Sequence, residues 1–253
     1  MELKLNDKVA LVTGGSRGLG RAICLSLAGE GAKVAVNYRR TADKALAVAE
    51  EIKNEYGVEA VTVAGDVAKE SDVLSIFNRV EEEFSKIDIL INNAAVCPTC
   101  RIEDMTEAMW TETIGVNLTG TFLTSREFIK RLLKSGRAGR IVNIVSQAAF
   151  RGSTTGHAPY DASKGGIVSF TIALAREVAR QGICVNAVAP GMIKTEMVAE
   201  VLARNEEKYL NRIPLHRIAS PAEVADVVTF LASEKAGYMT GATVDVSGGM
   251  LMR

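Results

Sequence analysis

Short β-branched, aliphatic runs alternate along this chain with longer amphipathic or alanine-rich stretches, and that rhythm restricts the fold more than any other feature. KVALVT precedes RAICLSLAGE, KVAVNY precedes ADKALAVAEEIKNEY, AVTVAGD precedes SDVLSIFNRVEEEF, and DILINN follows. The pattern continues through a long helix expected from about Trp110 to Lys134, the strand RIVNIVS, a helix from about Tyr160 to Arg180, the strand CVNAVAP, a helix near Ala222 to Ala232 and the strand TVDVS. The strand runs are apolar at nearly every position, as they must be when helices cover both faces of a parallel sheet. The prediction is α/β, a single doubly wound Rossmann domain of about seven mostly parallel strands with helices on both faces. No Pro/Ser-rich linker, charge block or repeat divides residues 1–253, so one domain is the economical reading. The stretch from 192 to 218, with KTEMVAEVLARNEEKYLNRIP, lacks strand rhythm and reads as a helical insertion serving as a substrate lid.

Charge and rare residues then narrow the chemistry. Thirty Lys plus Arg balance thirty Asp plus Glu, which gives no global reason to expect nucleic acid or an anionic membrane as partner. MELKLNDKVA has no basic and apolar leader pattern, and no apolar run reaches the roughly 20 residues that span a bilayer, so a cytoplasmic location is expected. Only His157 and His216 are available as imidazoles, which argues against a histidine-rich metal site, and no metal is expected. Cys24, Cys97, Cys100 and Cys184 are too few and too unevenly spaced for a disulfide framework. Cys97-Pro98-Thr99-Cys100 would suit a redox or metal-binding module only if it opened a helix after a strand or met a second close pair of ligands, and neither is evident.

Between the first strand and first helix stand Gly14, Gly18 and Gly20. Glycine there permits a tight turn and a close backbone approach to a pyrophosphate, which a helix N-terminus stabilises through its N–H groups and dipole. A glycine triplet alone also suits a plain turn; the strand before it and the helix after it favour the dinucleotide reading. Tyr160 and Lys164, four apart on a helix, share one face. Such a pair has a chemical use, because an ammonium about 4 Å from a phenol is worth ~4 kcal/mol at an effective dielectric of 20. That would lower the pKa of Tyr160 toward the working pH of a proton-transfer group.

TGGSRGLG, NNAA from Asn92 to Ala95, and YDASK from Tyr160 to Lys164 together resemble the short-chain dehydrogenase/reductase family over essentially the whole chain. The resemblance implies an NAD(P)(H)-dependent oxidoreductase interconverting C=O and CH–OH. It implies that Ser146 hydrogen-bonds the substrate oxygen, Tyr160 is the general acid/base, and Asn117 holds a water in a proton relay with Lys164. For the cofactor it implies contacts from Gly14, Ser16, Arg17, Gly18, Leu19 and Gly20, with Asp66 and Val67 bordering the adenine. Asn93 and Ala94 would support the ribose side, Tyr160 and Lys164 would reach the cofactor as well, and Pro190, Gly191, Ile193 and Thr195 would hold the nicotinamide amide. Ser146 lies fourteen positions before Tyr160, where many members have thirteen, so a one-residue longer loop is expected in QAAFRGSTTGHAP.

Cofactor choice is argued from charge. An enzyme for NAD(H) usually offers a carboxylate about 20 residues past the glycines, yet the second strand here ends in Asn37, Tyr38, Arg39 and Arg40. Arg39 or Arg40, with Arg17, would pair a 2′-phosphate, so NADP(H) is expected ahead of NAD(H). The resemblance is nearest to the 3-oxoacyl carrier-protein reductases, which points to a thioester-linked or small ketone substrate and to an acyl carrier protein as a candidate partner. NAAVCPTCRIEDM, after the fourth strand, departs from that group and keeps a sugar, cyclic or other secondary alcohol open as substrate. Val96, Cys97, Ser153, Thr154, His157 and Met192 are expected to line the pocket. Lys130, Arg131 and Arg180 are candidates for a basic surface toward a carrier, although Gln181 stands where a further basic residue would be aligned. The apolar close YMTGATVDVSGGMLM, together with the resemblance, suggests a homotetramer.

Overall fold

The computed structural model describes residues 3–154, 156–196 and 206–252. Its seven strands are β1 (Val9–Val12), β2 (Lys33–Tyr38), β3 (Ala60–Ala64), β4 (Ile89–Asn92), β5 (Gly139–Ile144), β6 (Ile183–Pro190) and β7 (Thr243–Val246). They form one sheet in the order β3-β2-β1-β4-β5-β6-β7, every pairing parallel. The strand run is therefore a doubly wound Rossmann sheet, parallel throughout where a mostly parallel one was expected.

The apolar strands divide their side chains between two helical layers. Val12, Val36, Ile91, Ile144 and Val188 pack under α1 (Gly18–Gly29), α2 (Ala42–Tyr56) and α8 (Pro221–Ala232). Leu11, Ala35, Leu90, Ile141 and Val185, one register position away, pack under α3 (Glu70–Phe84), α5 (Gly120–Ser135) and α7 (Ala158–Val178). Period-two alternation between two greasy layers explains why the strands show no polar face in the sequence.

Local chemistry sets the helix ends. Gly57 and Gly136 close α2 and α5 with φ of 67° and 65°. Ser220 and Glu223 form a reciprocal capping box that starts α8. The long helix expected over Trp110–Lys134 is not continuous. It is α4 (Glu107–Ile114), a π-helical turn (Gly115–Thr119) and then α5. A π turn hides from a 3.6-residue reading because the apolar phase resumes after one extra residue.

The direction in which strands are added reverses at β1 and β4: β1 leads outward to β2 and β3, and β4 leads the other way toward β7. The loops after β1 and β4 thus diverge and open a crevice at the carboxyl ends of the strands.

Candidate active site

The loop from β1 into α1 forms the floor of that crevice. Gly14 and Gly18 take φ of 63° and 54°, which favours glycine. A Cβ on Gly20 would lie 2.2 Å from the Gly14 carbonyl oxygen, and one on Gly14 would lie 3.0 Å from the Ala94 Cα. Asn93 clamps the loop from the other side, its Nδ2 donating to the Thr13 and Gly14 carbonyls at 2.9 and 3.0 Å. Arg17 begins α1 without a side-chain cap, and no acidic residue occupies the first turn. The N–H groups of that turn thus face the crevice beside a backbone with room for close approach, which is the donor set a pyrophosphate requires.

The other residues expected around a dinucleotide are distributed along the same crevice. Asn37 is buried, its amide accepting from the Gly14 N–H at 3.3 Å and donating to the Val63 and Gly65 carbonyls at 3.2 Å, so it braces the loop. Ser16 Oγ meets Thr41 Oγ1 at 2.7 Å. Leu19 packs against the α1-side core. Arg39, Arg40, Gly65, Asp66 and Lys69 surround an open cavity of about 530 Å³ at the ends of β2 and β3. Arg39 is ion-paired with Asp66 at 3.4 Å and Glu112 at 3.9 Å. Arg17 does not join this group: it faces Glu196 at 3.7 Å, a carboxylate it shares with Lys44. Val67 is buried against the position of Gly120.

On the far wall, Gly191 leaves no room for a Cβ beside Ser247, and its N–H donates to the Val246 carbonyl at 3.0 Å. The Pro190 carbonyl accepts from the Gln147 N–H at 3.0 Å. Ile193 bridges to Ala219 in parallel fashion, and Thr195 comes over Gly18, 3.7 Å from where a Cβ would stand. Residues 190–195 therefore arch across the glycine loop. Of the expected lid, 197–205 lie outside the described residues. Met192 packs with Tyr209, Leu210, Ile213, Ile218 and Met250, which anchors the two described flanks.

The second cluster stands on β5, α7 and the π turn. Ser146 stands beside the Tyr160 hydroxyl and acts on it as a hydrogen-bonding neighbour, while its Oγ accepts from the Ala148 N–H at 3.1 Å. Lys164, 2 % exposed, donates from Nζ to the Ile144 carbonyl at 2.7 Å and lies 5.5 Å from the centre of the Tyr160 ring. Burial depresses its pKa to about 8, partly countered by the Cys97 sulfur. Burial pushes the Tyr160 phenol above its ordinary value, with Cys97 and Asp161 adding to the rise and the Ser146 hydrogen bond opposing it. The Tyr160 phenol is thus raised where a lowering by Lys164 was expected: burial disfavours both charges, and both groups are pushed toward their neutral forms.

Asn117 is fully buried in the π turn. Its Oδ1 accepts from the Val96 N–H at 2.9 Å, while its Nδ2 donates to the Val96 carbonyl and to Ser163 Oγ, each at 3.0 Å. Ser163 in turn donates to the Tyr160 carbonyl at 2.7 Å. Sequence reasoning missed Ser163, Lys69 and Asp161. Only the last carried a signal, an acid in the first turn of α7 beside the tyrosine.

Cys97 sits in this cluster, with its pKa raised to about 11 by burial and by Asp161, the Lys164 charge opposing. All four cysteines are free thiols, and the described residues contain no group of three or more His, Cys, Asp or Glu able to hold a metal. A thiol so strongly protonated, in a loop after β4 and not at a helix start, lacks the activation a redox CxxC needs.

A glycine cradle and a hydroxyl–ammonium cluster that meet across one crevice define an oxidoreductase acting on CH–OH and C=O groups. Residues 14–251 match a family model described as Enoyl-(Acyl carrier protein) reductase, and the chain belongs to the short-chain dehydrogenase/reductase family, whose members bind NAD(P)(H). It is 44 % identical over 250 residues to the 3-oxoacyl-[acyl-carrier-protein] reductase of Aquifex aeolicus, covering 99 % of this chain and 100 % of that protein. The corresponding reductase of Synechocystis sp. is 43 % identical over 249 residues, 98 % of each chain. Among solved structures, a candidate gluconate dehydrogenase from Agrobacterium tumefaciens superposes with a TM-score of 0.94 at 35 % identity, over 100 % of this chain and 99 % of that one. A short-chain type dehydrogenase/reductase from Mycobacterium marinum does so at 0.94 and 32 %, over 100 % and 98 %.

Proposed function

We propose that the chain reduces a ketone, best a 3-oxoacyl thioester, to a secondary alcohol with NADP(H), using Tyr160 as the proton donor. The observation that carries the chemistry is the placing of the Ser146 and Tyr160 hydroxyls side by side, with Lys164 behind the ring, on a crevice floored by the glycine loop. A carbonyl oxygen inserted between the two hydroxyls receives a hydrogen bond from each, which polarises the carbonyl and fixes its face. Tyr160, held protonated by its surroundings, is in the form a reduction needs, and its proton passes to the developing alkoxide. Lys164, donating to Ile144 and still mostly charged near neutral pH, stands behind the phenol to stabilise the negative charge left there. The Asn117 side chain is committed to Val96 and Ser163, so a relay water would have to share its main-chain carbonyl, which accepts from the Thr121 hydroxyl at 2.7 Å. When bound, the reduced nicotinamide supplies the hydride that reaches the carbonyl carbon. The glycine loop with Asn93 and Ala94, and the arch from Pro190 to Thr195, would hold it.

Support for NADP(H) is the cavity rimmed by Arg39, Arg40 and Lys69, where a 2′-phosphate would meet cations. Arg39 already neutralises Asp66, which weakens the carboxylate that would otherwise favour a ribose diol. Support for the thioester is the full-length likeness to reductases named for carrier-linked 3-oxoacyl substrates. Of the basic residues considered for a carrier, Arg131 is tied to Glu81 and Glu127, and Arg180 precedes β6 at the end of the sheet remote from the crevice. Lys130, exposed on α5, is the one of the three left open to a carrier. A sugar acid is the second reading, favoured by the candidate gluconate dehydrogenase and by the polar Thr99–His157 pair.

The test is a panel comprising an acetoacetyl thioester, a simple ketone and a keto sugar acid, each with NADPH and NADH, followed at 340 nm. The thioester with NADPH is expected to give the highest kcat/KM. A preference for the sugar acid would overturn the substrate, and a preference for NADH the cofactor.

A further inference from the structure

The longer connection between Ser146 and Tyr160 has a definite construction. After α6 (Ala148–Arg151) and Gly152, at φ 69°, the chain turns back toward α7. There the Ser153 N–H donates to Asp161 Oδ2 at 2.5 Å and the Ser153 hydroxyl to Oδ1 at 2.9 Å. Asp161 follows Tyr160 in the first turn of α7, yet its carboxylate serves Ser153, eight residues back and outside the helix, so it is not a helix cap.

The same loop is fastened to its neighbour. The Cys100 N–H donates to the Gly156 carbonyl at 2.9 Å. Gly156 has φ of 81°, and a Cβ there would stand 2.6 Å from the Cys100 oxygen, so the two backbones lie in direct contact. Thr99 Oγ1 and His157 Nε2 are 2.9 Å apart. The loop after β4, which also carries Cys97, and the loop after β5 are thus joined, and Asp161 ties the joined pair to the helix that carries Tyr160.

We propose that Asp161 is a positioning residue: by binding both polar groups of Ser153 it holds the joined loops as one wall beside the Tyr160 hydroxyl and so fixes where the substrate carbonyl sits. This rests on the reading of Tyr160 as proton donor. A side chain that grips two donors at once leaves the loop little freedom, and placement of a reacting group within about 1 Å governs turnover. The Asp161 charge also bears on Tyr160 itself, adding to the rise of the phenol.

The experiment compares Asp161→Ala, Asp161→Asn and Ser153→Ala using whichever carbonyl of the panel the wild type reduces fastest, alongside hydrogen exchange of residues 147–157. Asp161→Ala is expected to raise the carbonyl KM about tenfold or more with a much smaller change in kcat. Its NADPH KM should be unchanged, and the loop should exchange faster. Asp161→Asn keeps an acceptor for the Ser153 N–H and should recover much of the carbonyl KM and of the slow loop exchange that Asp161→Ala loses. Ser153→Ala should raise KM with kcat little changed. Unchanged KM and exchange in Asp161→Ala would overturn the proposal. Tyr160→Phe, run in parallel, separates the two ideas: retained turnover there would remove the proton-donor reading, while the loop exchange in Asp161→Ala would still decide the wall.

Discussion

Two groups one helical turn apart, Tyr160 and Lys164, are both driven toward neutrality by burial, which bears on the pH range of the proposed chemistry. With Tyr160 protonated, the proposed donor is in the form a reduction needs. Lys164 loses its proton as pH rises through about 8, so reductive kcat is expected to fall on that side in a pH–rate profile, and a flat profile to pH 9 would contradict the role given to the ammonium. The stability sign follows from the same depression. From about 8 to the ordinary 10.5, the folded lysine holds fewer protons than the unfolded one, so its contribution to stability grows with pH. The stability of wild type relative to Lys164→Met, from denaturant melts, should therefore increase between those values. Tyr160→Phe keeps the ring and removes the proposed proton donor; turnover should drop about 100-fold or more with NADPH binding retained by fluorescence titration.

At the scale of elements, the crevice depends on backbones that approach too closely for side chains. Gly20→Ala places a methyl 2.2 Å from a carbonyl oxygen with no flexible group to yield. Weakened dinucleotide binding and a lower melting temperature are both expected, and a variant normal in each would refute the packing. Arg39→Ala with Arg40→Ala should weaken NADPH far more than NADH, as read by their KM ratio; an unchanged ratio would leave both as surface charges. Much of this was legible in the sequence. The β1 glycines, the Tyr160–Lys164 spacing and the alternation of strands with helices follow from turn chemistry and periodicity. What was not legible depended on pairing across distance. Nothing local shows that Arg17 turns to Glu196, that Asn37 spends its amide on its own loop, or that Ser153 seats on Asp161. The direction of the Tyr160 shift was not legible because spacing shows that two side chains share a face and says nothing of how deeply both are buried.

For the whole molecule, β7 ends the sheet with only β6 beside it among the described strands. Near that edge Tyr238 is fully exposed and Met252 is 75 % exposed. Open edges and apolar surface of this kind favour association, and a homotetramer built as a dimer of dimers is expected by light scattering at micromolar concentration; a monomeric mass would exclude it. No helix among the described residues is long and apolar enough to cross a membrane.

The π turn at Gly115–Thr119 carries an unusual tolerance to mutation. In an ordinary α-helix, removing one residue rotates everything downstream by about 100°, which would turn the buried face of α5 out of the core. Here a turn holding one surplus residue can release it and relax into regular helix, with the register of Leu123, Phe128 and Leu132 kept. The casualty would be the outward step that lets Asn117 reach Val96 and Ser163. A one-residue deletion in this turn should therefore yield a protein that folds, melts cooperatively and does not turn over, an uncommon case in which shortening the chain costs function before it costs the fold.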